Sequence, residues 1–171
     1  AAKKGLGLPE ESFYVSDEVK NYFENLSAER SKNKADWDAT FAQWGAANPE
    51  LLKTLNESNK AYSFDALSDM IPEFTADNSN GASRASGGVV YNALANNVSN
   101  IITGSADLFG STKNYLKDGG DFSPENPDGR NIWFGIREHG MGAICNGIAY
   151  DGYFRISGAT FAVFADYLRP S

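Results

Sequence analysis

Apolar residues fall at helical spacing through the first part of the chain and gather into strand-length runs in the last. Val19, Tyr22, Phe23 and Leu26 follow an i, i+3, i+4, i+7 pattern behind Ser16, a residue suited to cap the helix they define. After the charged stretch "ERSKNKAD", Trp37, Phe41 and Trp44 continue at the same period. Asn48-Pro49 closes that helix and opens another, with proline at the first position and Leu51, Leu52 and Leu55 on one side. Residues 16–58 are therefore predicted helical, with one apolar stripe that has to lie against something.

Farther along, the period changes. A helix over 83–97, carrying Val89, Val90 and Leu94, leads into "SNIITGSAD", a short β-rich run. Two strand-to-helix units follow: "NIWFGI" with a helix from about Glu138, and "YFRISGA" with "TFAVFADYL". Strands alternating with helices through glycine-containing turns predict an α/β fold with a mainly parallel sheet and flanking helices. The expected organisation is a helical arm over 1–79 and an α/β domain over 80–171, with the boundary in "TADNSNGAS". Ligands of parallel sheets sit at the carboxyl ends of the strands. "TGSAD", "GIREHG" and "SGATF" should thus share one edge, bringing Gly104, Glu138 and Thr160 together. "LKDGGDFSPENPDGR" reads as an exposed polar loop.

Composition narrows the function classes. With 171 residues, 42% of them hydrophobic, the chain can bury a core of ordinary size. A formal net charge of -7 and the lack of a dense lysine or arginine cluster argue against a nucleic-acid partner. The single cysteine, Cys145, excludes an internal disulfide framework, and the single histidine, His139, argues against a Cys/His zinc site. No apolar run approaches membrane length, and the first residues lack the hydrophobic region of a signal peptide. The expectation is a cytoplasmic protein, or a plastid one if its source is a plant or alga, with no membrane partner.

The stretch "WFGIREHGMGAICNG" concentrates the candidate chemistry. On a helix beginning at Glu138, Met141, Ile144, Cys145 and Ile148 form an apolar face, and Gly140, Ala143 and Gly147 a face almost without side chains. Each helical glycine costs about 0.5–1 kcal/mol relative to alanine. Close approach of another element would explain that expense. Glu138 in the first turn is stabilised by the helix dipole alone, whereas a chemical role needs an enclosed apolar site; the residues leave both readings open. His139 fits a hydrogen-bonded structural histidine or a base, and Cys145 reads as a small hydrophobe. Phe161, Phe164 and Tyr167, spaced three apart, suit core packing or a wall for a flat heterocycle. Arg84, Asp107 and Ser111 fit a surface arginine and two turn residues; the arginine and serine also suit what a phosphorylated substrate requires.

Taken together, "GIREHGMGAICNGIAYDG" and "GATFAVFADYLRP" resemble the first half of the pyrimidine-binding domain of transketolases, which are thiamine diphosphate enzymes. "TGSADLFGS" is similar to the family's Gly-Ser-Ala-Asp-Leu stretch, "ASR" to its Ala-Thr-Arg, and "WDATFAQWGAANPEL" to the segment joining the diphosphate-binding and pyrimidine-binding domains. The chain departs from the family pattern at Thr103, where glycine is usual, near Gly110, where a proline is usual, and over Ile156–Phe161, where Tyr-Gly-Gly-Thr-Phe is usual. It also carries neither the Gly-Asp-Gly and Asn metal motif nor the family's later histidines.

The resemblance implies a fragment of an enzyme that transfers a two-carbon ketol unit between sugar phosphates, inactive alone. Its cofactor would be thiamine diphosphate with a divalent cation, Mg or Ca, whose ligands lie outside this chain. Glu138 would be catalytic, hydrogen-bonding the cofactor's pyrimidine nitrogen. Phe161, Phe164, Tyr167 and Asp107 would bind the cofactor, and Arg84 and Ser111 the substrate phosphate. The partners implied are a second copy in a homodimer, the missing diphosphate-binding and C-terminal domains, and sugar phosphates. Alternatives are a non-catalytic association module of pyrimidine-binding type and part of a dihydroxyacetone synthase.

Overall fold

A short turn, α1 (Ala2–Gly5), precedes the long helix α2 (Asp17–Ala47) in the computed structural model, which describes residues 1–58, 60–78 and 81–171. Ser16 starts α2 as its chemistry suggests: its hydroxyl accepts from the Val19 N–H at 3.4 Å, and Asp17 and Glu18 place negative charge at the positive end of the dipole. At the other end, the Asn48 side chain donates to the Trp44 carbonyl at 2.9 Å, and Pro49 opens α3 (Pro49–Glu57). Trp37, Phe41 and Trp44 stack in sequence, with centroids 5.0 and 5.6 Å apart. Tyr22, Phe23 and Trp37 remain largely exposed on this chain.

By packing, the chain divides into Ala1–Lys53 and Thr54–Ser171. The boundary expected at 79/80 includes Ser79 and Asn80, which lie outside the described residues.

The second unit starts with α4 (Phe64–Met70), a helix the apolar spacing did not single out, capped by Ser63. Then come α5 (Ser83–Asn97), β1 (Ile101–Ser105), the single turn α6 (Phe109–Thr112), β2 (Asn131–Trp133), α7 (Glu138–Asp151) and β3 (Arg155–Ala159). The strands form a parallel sheet ordered β2-β1-β3, in which Thr103, Gly104 and Ser105 align with Ser157, Gly158 and Ala159. The α/β reading, the three strands and their parallel sense agree with the sequence expectation.

The last expected helix is shorter than its pattern. "TFAVFADYL" holds a 3-10 turn, Ala162–Phe164, and one α turn, α8 (Ala165–Leu168). Phe161 is extended (φ -74°, ψ 149°), and its aromatic and β-branched neighbours are poor helix formers.

Alternation along the strands gives the sheet two unlike faces. On one side, Ile101 packs with Ala95, Val98 and Leu116 against α5. Hydroxyls share that face: Thr103 and Ser157 hydrogen-bond across the strands at 2.8 Å, Tyr91 reaches Ser157 at 2.7 Å, and Asn114 donates to Thr103 at 2.7 Å. On the other side lie Gly104 and Gly158. A Cβ at Gly158 would come within 3.0 Å of Met141 and 3.2 Å of Cys145, and one at Gly104 would overlap the Phe134 ring. These two glycines let α7 and the segment before it settle onto the sheet. Two of the positions that depart from the resembled pattern, Thr103 and Ser157, are thus bonded to each other.

Burial raises the Tyr91 hydroxyl above its ordinary pKa of 10.0. A raised folded-state value means that its contribution is fully present below pH 10 and is lost as pH climbs through the folded value. Urea midpoints should therefore fall between neutral pH and about pH 11 more steeply for the natural chain than for Tyr91→Phe. Parallel pH profiles for the two proteins would refute this.

Candidate active site

Where α7 begins, the first residue of the helix faces the carboxyl ends of the strands. Glu138 is 7% exposed, an unusual burial for a carboxylate. Thr160, just past β3, donates its hydroxyl to Glu138 Oε1 at 2.9 Å. Ala159, the residue before it, is anchored to the end of β1, accepting from the Ala106 N–H at 3.1 Å and from the Ser105 hydroxyl at 3.2 Å. Gly104, Glu138 and Thr160 therefore meet at one sheet edge, as the strand-to-helix pattern predicts.

A cleft of about 610 Å³ opens at this edge. Glu138 lines it together with Asp107, Phe164 and Tyr167, and apolar Ala106, Leu108 and Ile136 complete much of its wall. Phe164 and Tyr167 stand 6.3 Å apart, and Phe161 lies nearly parallel to Phe164 at 6.5 Å, flanking the cleft without lining it. Asp107 sits in the left-handed region at φ 63°, a conformation disfavoured for residues other than glycine and common at functional sites. The Ser105 hydroxyl accepts from the Leu108 N–H at 3.0 Å and so holds the turn that carries Asp107.

Arg84 and Ser111 lie elsewhere. Arg84 is exposed in the first turn of α5, Ser111 belongs to α6, and neither lines the cleft. His139 lines the cleft, and its Nδ1 is 2.8 Å from the Ser171 hydroxyl. Cys145 packs beside Met141 on the sheet, and burial pushes its thiol pKa up, in keeping with a small hydrophobe. Arg137 and Ile136 are cleft residues that sequence reasoning missed. Ile136 is 81% exposed, and no periodic signal marks a loop residue of this kind.

The glycines of α7 differ from expectation in which of them is packed. Along α7 the close approach is at Gly142, where a Cβ would meet Leu168 and Ser171 at 2.7 Å. The face of Gly140, Ala143 and Gly147 is not packed: no atom approaches within 4 Å of a Cβ at Gly147. Among the described residues no group of three or more His, Cys, Asp or Glu could hold a metal ion, and no helix is long and apolar enough to cross a membrane.

Residues 82–171 match the family described as transketolase, pyrimidine binding domain. A transketolase of Dictyostelium discoideum is 48% identical over 171 residues, covering 100% of this chain and 26% of the relative. One from Aquifex aeolicus is 39% identical over 170 residues, or 99% of this chain and 24% of its own. A crystal structure of Pichia stipitis transketolase in complex with sedoheptulose-7-phosphate superposes with a TM-score of 0.80 at 34% identity, covering 98% of this chain and 26% of that one. A Campylobacter jejuni transketolase structure gives 0.75 at 34% identity, covering 99% and 25%. The chain thus spans about a quarter of the length of the relatives it matches.

Proposed function

Because this chain belongs to the transketolase family, with residues 82–171 matching its pyrimidine-binding domain, we propose that it forms one part of an enzyme that moves a two-carbon ketol unit between sugar phosphates. The observation that carries this reading is the buried Glu138 carboxylate, held by Thr160 on the wall of a cleft that Phe164 and Tyr167 also line. The family implies thiamine diphosphate, and the donor set fits its aminopyrimidine half. One carboxylate oxygen is engaged, the other has no protein partner among the described residues, and ring side chains stand near for a flat heterocycle to lie against. The diphosphate and a divalent cation, Mg or Ca, would be held by residues outside this chain.

When bound, the cofactor supplies the electron sink for breaking and making the carbon–carbon bond. Glu138 would hold a proton at Oε2, the oxygen that Thr160 leaves free, for a ring nitrogen of the aminopyrimidine. The low polarity of the surrounding wall strengthens the hydrogen bond between them. Phe164 and Tyr167, with Phe161 behind them, would give the ring an aromatic surface to lie against. Asp107 places a carboxylate beside the cofactor. Arg84 and Ser111, outside the cleft, take the substrate's phosphate. The open Gly140–Ala143–Gly147 face suits the twofold contact of a homodimer.

The isolated chain should bind thiamine diphosphate poorly. Aromatic contacts contribute about 0.5–1.5 kcal/mol each beyond area burial, and association costs about 4 kcal/mol or more. Titration calorimetry with thiamine diphosphate and Mg²⁺ should give a Kd weaker than about 100 μM. Adding separately expressed diphosphate-binding and C-terminal portions should tighten binding and produce ketol transfer to ribose 5-phosphate in preference to formaldehyde. Micromolar binding by the chain alone would contradict the division of the site. An assembled enzyme that binds the cofactor but transfers no ketol unit would sink the functional reading.

A further inference from the structure

We propose that Thr160 is a positioning residue that reserves one oxygen of Glu138 for the ring nitrogen, an inference that rests on the role given to Glu138 above. Its hydroxyl donates to Oε1 at 2.9 Å. Among the described residues no other side chain or backbone group bonds the Glu138 carboxylate, and none of their buried side-chain oxygens or nitrogens lacks a partner. Oε2, which has none, is therefore not sealed away; it keeps access to the cleft that Glu138 lines. A carboxylate has two chemically equal oxygens and a freely turning terminal torsion. Occupying one oxygen with a fixed donor makes the two unequal and stops the turn.

The donor is itself fixed. The Ala159 carbonyl, one residue earlier, accepts from the Ala106 N–H and the Ser105 hydroxyl, which ties the end of β3 to the end of β1. Ser105 also holds the Leu108 N–H, so the chain of bonds that places Thr160 continues into the turn carrying Asp107. The carboxylate, its donor and the acidic turn are set by one strand-end lattice rather than by α7 alone.

The test compares Thr160→Val, which keeps the branched shape and removes the donor, with Thr160→Ser, which keeps the donor. In this chain labelled with ¹³C-glutamate, the Glu138 carboxyl resonance is identified by its disappearance in Glu138→Gln. Thr160→Val should move that resonance toward those of exposed glutamates, and Thr160→Ser should leave it in place. In the assembled enzyme, Thr160→Val should lower kcat about tenfold to a hundredfold, the range expected for loss of a hydrogen bond to a charged group. The KM for cofactor should change less than about threefold, and Thr160→Ser should restore kcat. An unmoved resonance together with unchanged kcat in Thr160→Val would overturn the proposal while leaving Glu138 its role. Full turnover by Glu138→Gln would overturn both. Should Thr160→Val fail to fold, Thr160→Ala takes the same measurements.

Discussion

Glu138→Gln, in an enzyme assembled around this segment, will lose about two to four orders of magnitude in turnover, the range for removal of a positioned acid or base. The change preserves size and the ability to accept from Thr160, whose hydroxyl lies 2.9 Å from Oε1. What it removes is a group that can hold and share a proton at Oε2. Cofactor affinity should move far less, because the aromatic wall of Phe164 and Tyr167 and the diphosphate contacts are untouched. Turnover measured at saturating cofactor, beside a cofactor titration, separates the two effects. Near-natural turnover would remove Glu138 from the chemistry.

The second large effect concerns stability. Gly104→Val should destabilise the second unit by about 3 kcal/mol or more, at the upper end of overpacking effects. A Cβ there overlaps the ring of Phe134, itself buried, and stands 3.0 Å from the Ile132 carbonyl, so a buried ring and a backbone oxygen both have to give way. Gly147→Ala gives the opposite sign: with no atom within 4 Å, it should stabilise the isolated chain by about 0.5–1 kcal/mol through helix propensity. Urea denaturation of the three proteins measures both. A Gly104→Val midpoint equal to that of the natural chain would show that the sheet face is looser than its geometry.

These two glycines mark how far the sequence was legible. Glycine cost in "EHGMGAICNG" correctly pointed to close approach, but not to where it happens. Of the α7 glycines only Gly142 is tightly packed, and the sheet contributes Gly104 and Gly158 from segments far apart in the chain. Local signals were readable because their physics is local: the Ser16 cap, the Pro49 start, and the strand before Glu138. The Thr160–Glu138 bond spans 22 residues and depends on where β3 ends relative to α7, which no periodicity encodes. Helix α4 escaped although Phe64, Leu67 and Met70 keep helical spacing, because seven residues carry that pattern through barely two turns. Phe164 and Tyr167 reached the cleft although their helix broke into two single turns, since spacing of three places side chains on one side in either conformation.

The two-faced sheet also decides how its strands may align. In the observed pairing hydroxyl meets hydroxyl at Thr103 and Ser157, and glycine meets glycine at Gly104 and Gly158. If β3 slipped by one residue, every side chain would change face. Ser157 would then face Phe134 and Met141 without a polar partner, and the Tyr91 hydroxyl would lose the group it now reaches at 2.7 Å. The misaligned sheet would carry a stranded polar group on one side and a gap on the other. Small residues and hydroxyls in alternation thus act as a proofreading pattern: they exclude the neighbouring alignment, and with it any strand end that would hold Thr160 away from Glu138.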